Sequence, residues 1–416
     1  MADQEHIPPF MPAVHLPPGP YDASSPPLPS SLIYDPKFPT PQPNPSQYLI
    51  KVYSTALCRE ELTWPEVISS SRVIQPPVPG YDVCGTILST PSDDERTYDG
   101  PKFKVGDEVF GWLSVHRGGG AADCALAEEN ELAFKPKNIT AIEAASIPLS
   151  AMTAWQAFFA HGNLKHIADK CGHLDSEVVR DDCMDDNGGE GVKQLQPHNE
   201  PIRVLITNAS GGVGVQAIQL LRSKTLFGNQ KFWICGTCSG RNAAFLKDTL
   251  HIDEVIDYTV HPDLSETFKS NGWKPVDFVF DCIGGSSLKQ AHSPSVVCDN
   301  GSIVSVAHPI KEEWGNLGIE KRGLNSRYFI IEINGKQLEK IGILVGKGEV
   351  RGFVDKVFEL YEAREAMELV ESKRVRGKVV LKVSNITGKT RIKFYDSGTR
   401  SSKKQKTGGQ RDTIDC

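Results

Sequence analysis

Residues 203–216 read RVLITNASGGVGVQ, and the fold follows from how that stretch is parsed. Arg203 to Thr207 is a short apolar, β-branched run, the pattern of a strand buried on both faces. Asn208 to Gly214 is a glycine-rich turn. From Val213 onward the apolar residues Val213, Ala217, Leu220 and Leu221 recur at helical spacing. Strand, tight turn and helix start in that order make a phosphate cradle. The helix N-terminus presents unpaired N–H groups and a partial positive charge of roughly half a unit. Glycines let the backbone approach a pyrophosphate with no Cβ in the way. Against the pattern G-x-G-x-x-G the stretch reads Ala209-x-Gly211-x-x-Gly214, with alanine at the first glycine. The candidate cofactor contacts here are Ser210, Gly211, Gly212, Val213 and Gly214. The plain alternative is a glycine turn that only packs a helix on a strand.

The next strand bears on which nucleotide is held. Residues 231–236 (KFWICG) follow the helix and are expected to form the second strand of a βαβ unit. A site for NAD wants Asp or Glu at this strand's end, about 20 residues past the glycines, for the ribose 2′-hydroxyl. Here Thr237-Cys238-Ser239-Gly240-Arg241 follows, and no carboxylate comes until Asp248. A small hydroxyl at Ser239 and a guanidinium at Arg241 suit a 2′-phosphate. The expected cofactor is therefore NADPH rather than NADH. The alternative for Arg241 is a solvated residue at a helix start.

A chain of 416 residues can hold two domains with full cores. A net charge of −6 gives the whole molecule no nucleic-acid signature. No apolar run approaches the roughly 20 residues of a membrane span. The N-terminus lacks a basic region followed by an apolar one, so no secretory signal is read there. Ten cysteines without regular spacing fit reduced thiols better than a disulfide framework. The expected compartment is the cytoplasm.

Residues 1–30 are proline-rich, with a short strand expected near 11–16. Residues 31–34 and 48–52 are expected to pair as strands, linked by the prolines between Pro36 and Pro45. Many short strands with turn signals follow to about residue 148, which indicates a small all-β domain. Residues 141–145 and 150–160 read as helices. Residues 166–201 are acidic, with Asp181-Asp182 and Asp185-Asp186, and read as a flexible surface insertion. The tail 385–416 is basic around Lys403-Lys404 and reads as solvated and disordered, with a nuclear signal or nucleic-acid contact as the alternative.

The order of motifs resembles the medium-chain dehydrogenase/reductase superfamily, in its zinc-independent quinone oxidoreductase and enoyl reductase branch. The pieces that carry the resemblance are VPGYDVCGTI from Val78, FKVGDEVFG from Phe103, AASIPLSAMTAWQAF from Ala144, the ASGGVG turn, EVIDY from Glu254, VDFVFDCIGG from Val276, GSIVSVA from Gly301 and RVRGKVVLKV from Arg374. They span roughly residues 31–384. ELTWPE from Glu61 resembles a subgroup with plant envelope-type quinone oxidoreductase homologues and fungal relatives. The resemblance implies an α/β fold: a GroES-like β domain (31–148, completed by 350–384) and a Rossmann domain with a doubly wound parallel sheet (149–349). Cofactor and substrate would lie between them. It also implies a homodimer.

By motif position the resemblance carries cofactor contacts onto Thr153, Tyr258, Cys282, Ile283, Val306 and Ala307. Each has plain core or turn as its alternative. Zinc-dependent members hold their metal with a Cys near the first helix, a Gly-His-Glu and a later Cys. Here Cys58 matches the first, but the second reads Gly80-Tyr81-Asp82 and no cysteine stands near Leu149 and Ser150. Zinc needs three or four ligands at fixed geometry, so no metal is expected. Related quinone oxidoreductases often carry a tyrosine in the first helix. Thr63 stands at that place, which makes Thr63 a candidate substrate-orienting hydroxyl and Tyr81 the nearest candidate acid. Structural packing is the alternative for both. Lys378, in Arg-Gly-Lys, reads as a solvated lysine, with a place facing the cleft as the alternative. Cys235-x-x-Cys238 imitates a redox pair but falls on a strand, where packing accounts for it. Cys171, His173 and Cys183 lie in or beside the acidic segment.

Without a metal, hydride addition to a quinone or to an activated C=C is the feasible chemistry. The expected activity is therefore NADPH-dependent reduction of a quinone or an α,β-unsaturated carbonyl. An enoyl-thioester reductase is the alternative within enzymes. An NADPH-binding protein that acts through a partner or nucleic acid is the alternative outside them.

Overall fold

The computed structural model describes residues 7–19, 26–64, 76–92, 100–162, 164–171, 200–310 and 318–384. Strands β8 (Ile202–Ile206), β9 (Phe232–Cys238), β10 (Glu254–Asp257), β11 (Val276–Asp281), β12 (Val297–Ser305) and β13 (Asn325–Tyr328) build one six-stranded sheet. Its order is β10-β9-β8-β11-β12-β13, and every pairing is parallel. This is the doubly wound arrangement of two mononucleotide-binding halves, and the order reverses between β8 and β11. Val204, Leu205 and Ile206 are fully buried, as a central parallel strand requires.

The second sheet is antiparallel in the main. Its path is β14 (Val354–Glu359), β15 (Lys378–Lys382), β3 (Tyr48–Leu57), β4 (Asp82–Ser89), β5 (Glu108–Trp112) and β7 (Leu132–Phe134), with β6 (Cys124–Ala127) on β3. The chain thus leaves this sheet after β7, builds the parallel one and returns with β14 and β15. This is the GroES-like β domain with its C-terminal completion.

Two helices link the sheets. A capping box between Thr140 and Glu143 starts α1 (Ala141–Ala145). Pro148 opens α2 (Pro148–Gln156), where its missing N–H is no loss. Helix α3 (Lys165–Cys171) follows, so residues 166–171, expected in a flexible insertion, are helical. The helix after the glycine turn is α4 (Gly212–Arg222), and it buries Val215, Ile218, Leu220 and Leu221. One apolar core runs through both sheets and these helices, with Phe158 edge-on to Phe278 and Phe280.

One pairing differs from expectation. β1 (Phe10–His15) and β2 (Ile33–Pro39) form a separate two-stranded ribbon, so residues 31–34 do not pair with 48–52. β2 runs through Pro36, which a ribbon with a free edge tolerates. Among the described residues no helix is long and apolar enough to cross a membrane. Residues 172–199 of the insertion, with His173 and Cys183, and the tail 385–416 lie outside the described residues.

Candidate active site

The glycine turn is where three segments meet. Asn208 has φ +51°, and its N–H donates to Thr237 Oγ1 at 3.0 Å. Ser210 is 4% exposed, and its Oγ accepts from Asn242 Nδ2 at 3.0 Å. The Ser210 carbonyl accepts from Gly377 N–H at 2.9 Å, and Gly211 bridges Gly377. A Cβ at Gly214 would lie 2.6 Å from Ala209 Cα, so only glycine allows this approach of helix to strand. A Cβ at Gly212 would lie 2.9 Å from Lys378 Cδ and 3.0 Å from Ser150 Oγ. Val213 is half-buried at the start of α4. Thr153 is on α2, where its Oγ1 donates to Leu149 O at 2.6 Å.

A recess of about 530 Å³ opens at the ends of β9 and β10. Ser239, Arg241, Asp257, Tyr258, Lys373 and Arg374 line it. Arg241 Nη2 donates to Arg374 O at 2.8 Å, which holds the segment before β15 over the recess. Asp257 Oδ1 accepts from Thr259 N–H at 3.0 Å and Thr259 Oγ1 at 2.7 Å. Those bonds hold its carboxyl below the ordinary range. The structure thus brings together Ser239, Arg241 and Tyr258. Lys373 and Arg374 line the same recess and were not singled out in the sequence, because nothing local ties them to the strand ends they reach.

Cys282 and Ile283 follow β11, and Val306 and Ala307 follow β12, beside the place where the strand order reverses. Cys282 N–H donates to Thr207 Oγ1 at 2.8 Å, and burial pushes its thiol well up. Ala307 N–H donates to Ser305 Oγ at 3.3 Å. Ile283 is 38% exposed, and Val306 is half-buried. The Cys235 and Cys238 thiols are both buried in β9 and pushed up by burial, Cys238 to about 11, so neither is poised as a redox nucleophile.

Lys378 corrects the sequence reading. It is not solvated but 5% exposed. Its Nζ lies 2.5 Å from Cys58 Sγ and 3.0 Å from Asp82 Oδ2. The other Asp82 oxygen accepts from Leu149 N–H at 2.7 Å, at the start of α2. Burial alone would lower the lysine's pKa, but Cys58 and Asp82 outweigh it and hold the ammonium charged. Glu61 is 1% exposed and accepts from the backbone N–H of Cys58 at 2.8 Å and of Gly80 at 3.1 Å. Burial, outweighing those bonds and Lys378, pushes its carboxyl up to about 8. Burial likewise pushes the Cys58 thiol up to about 12.

This donor set does not fit a metal. The thiol and carboxylate that would face one are bridged by an ammonium, and Glu61 is spent on backbone. Among the described residues no group of three or more His, Cys, Asp or Glu side chains could hold an ion. Tyr81, at the place of the absent histidine, is 2% exposed and stacks on Trp64 at 6.0 Å. Burial and the nearby Glu61 raise its phenol far above the ordinary range. Thr63 sits in a short 3-10 turn, where its Oγ1 donates to Glu60 O at 2.7 Å.

The chain is similar to known proteins over stretches of both sheets. Residues 44–146 match the family described as alcohol dehydrogenase GroES-like domain, and residues 250–381 match zinc-binding dehydrogenase. A "Probable zinc-binding oxidoreductase, mitochondrial" of Arthroderma benhamiae is 36% identical over 348 residues, which are 83% of this chain and 91% of that one. The chloroplast envelope quinone oxidoreductase homolog of Arabidopsis thaliana is 27% identical over 350 residues, 82% of this chain and 92% of that one. The solved quinone oxidoreductase of Coxiella burnetii superposes with a TM-score of 0.67 at 25% identity, covering 90% of this chain and 99% of that one.

Proposed function

The chain belongs to the medium-chain dehydrogenase/reductase superfamily, and from that premise we propose an NADPH-dependent oxidoreductase that reduces a quinone or an α,β-unsaturated carbonyl without zinc. The observation that carries the cofactor choice is the cationic rim of Arg241, Lys373 and Arg374 around Ser239. Guanidinium and ammonium groups favour a 2′-phosphate. The carboxylate on that rim, Asp257, is already engaged by Thr259.

The chain's own residues orient, exclude water and supply fixed charge. Ser210 to Gly214 would hold the pyrophosphate on the backbone N–H groups that open α4, with the Lys378 stem packed against the turn. Thr153, Cys282, Ile283, Val306 and Ala307 would flank the nicotinamide half, and Tyr258 the adenosine. When bound, a reduced nicotinamide supplies a hydride. Zinc independence is supported by the ammonium between Cys58 and Asp82. With no Lewis acid, an electron-poor C=C or a quinone is the fitting acceptor, because its reduction needs orientation and hydrogen-bond donors rather than a polarised ketone. The Thr63 hydroxyl donates its hydrogen bond to Glu60 O, so its part toward a substrate is as an acceptor. Tyr81, buried and stacked on Trp64, serves by packing rather than as an acid.

The test is loss of reduced-nicotinamide absorbance, with NADPH and NADH run side by side against one quinone and one enone, with and without a chelator. Turnover that prefers NADPH and survives the chelator is expected. Preference for NADH would overturn the cofactor choice, and loss of turnover with the chelator would overturn zinc independence. The proposal includes a homodimer acting in the cytosol. Light scattering of the pure protein and imaging of a fluorescent fusion of the full chain measure these two parts separately.

A further inference from the structure

We propose that Asp281 is a positioning residue for the nicotinamide half of the bound nucleotide, a reading that rests on the nucleotide-dependent function above. Asp281 ends β11 and is fully buried, at 0% exposure. Oδ1 accepts from Thr207 Oγ1 at 2.8 Å, and Oδ2 accepts from Ser305 Oγ at 2.8 Å. Gly284 N–H reaches both oxygens, at 3.2 and 3.0 Å. Thr207 directly follows β8 and Ser305 ends β12. One carboxylate therefore ties the carboxyl ends of three neighbouring strands, β8, β11 and β12.

The hydroxyls pass the tie on to the loops. Thr207 Oγ1 accepts from Cys282 N–H at 2.8 Å. Ser305 Oγ accepts from the N–H groups of Ala307 and His308, both at 3.3 Å. The two loops also meet each other: Gly284 has φ +73°, and a Cβ on it would lie 1.8 Å from His308 Nδ1. Residues 282–284 and 306–308 are thus fixed from below by Asp281 and sideways by contact.

The location gives this knot its purpose. In an open doubly wound sheet, ligands bind outside the carboxyl ends of the strands where the order reverses, here between β8 and β11. The β8-β9-β10 half carries the cationic recess, so the β11-β12-β13 half is left to the nicotinamide. A buried carboxylate is unfavourable unless its acceptor sites are filled, and apolar residues of similar volume would close the strand ends with less desolvation. What a carboxylate adds is direction: it fixes where each loop leaves its strand. The adenosine recess, built on β9, β10 and the segment 372–374, does not depend on it.

That independence supplies the test. Asp281→Asn keeps the shape, but its amide cannot accept from both hydroxyls. Affinities of the full chain for NADPH and for 2′,5′-ADP, which has the phosphorylated adenosine but no nicotinamide, are compared by calorimetry, alongside kcat and KM. NADPH binding is expected to weaken roughly tenfold to a hundredfold, and 2′,5′-ADP binding by no more than about twofold. kcat is expected to fall with it. Equal weakening of both ligands, or no change in either, would overturn the proposal. If Asp281→Asn does not fold, Thr207→Val and Ser305→Ala each remove one hydroxyl and leave the carboxylate its other donors. The same split, smaller, is expected, and its absence from both variants would overturn the proposal. If the unmodified chain binds neither ligand, the nucleotide reading fails first.

Discussion

Lys373 and Lys378 stand on one short segment and end in opposite surroundings. Lys373 is exposed on the rim of the recess beside Arg374. Lys378 is buried, with its ammonium on Cys58 and Asp82. Between them Gly377, at φ +73°, turns the chain inward, and a Cβ there would lie 2.2 Å from Phe353 O. The difference teaches that a cation's place is decided by what meets it. Where a buried carboxylate waits, the lysine becomes part of the core. Where none does, the charge stays outside and is available to the anion of a ligand.

The comparison breaks most sharply at its buried end. Lys378→Met should strand the Asp82 carboxylate without a partner and destabilise the fold by about 3–5 kcal/mol, read as a drop in Tm. The double variant Lys378→Met/Asp82→Asn should recover much of that loss. A double variant as unstable as the single one would show that the ion pair is not the reason.

Glu61 tests the same cluster through pH. Its folded pKa of about 8 lies above the ordinary 4.5, so between those values the folded chain keeps a proton that the unfolded chain has shed. Stability from this group is therefore fully present at acid pH and is lost as pH rises toward 8. Urea unfolding of the unmodified chain and of Glu61→Gln at several pH values between 5 and 9 checks it. The variant should lose most of this fall, and an unchanged slope would mean that another group carries it.

At the exposed end, Arg241→Ala should weaken NADPH roughly tenfold or more, as expected for losing a charge-assisted bond to phosphate, and leave NADH nearly untouched. A parallel loss for both nucleotides would place Arg241 in the fold rather than in phosphate recognition. The smallest effect belongs to Lys373→Ala, a change of no more than about fivefold in NADPH affinity. It should fade as salt is raised, since an exposed charge is screened over about 10 Å at 0.1 M. A large, salt-independent loss would mean that Lys373 is less solvated than its rim position indicates.

The sequence alone determined the strand, turn and helix at the centre of the parallel sheet, though not the helix at Lys165–Cys171. The apolar run read at 203–207, the glycine turn and the helical spacing after it are local signals, and each arises from contacts within about ten residues. For the same reason the position of Ser239 and Arg241 was legible: they occupy a fixed offset from the turn, just past the end of the next strand. The partner of β2 was not legible, because a strand's own residues do not say which edge it meets. Only the tertiary structure decided the fate of the charges. Lys378 is buried because Asp82, almost three hundred residues earlier, comes to lie 3.0 Å from it. Lys373 and Arg374 reach the recess because a segment returning to the antiparallel sheet crosses the ends of the parallel one. Asp281 joins Thr207 and Ser305 because β8, β11 and β12 are neighbours in space. Burial of a charge depends on the partners that distant segments deliver, and a sequence read locally does not contain them.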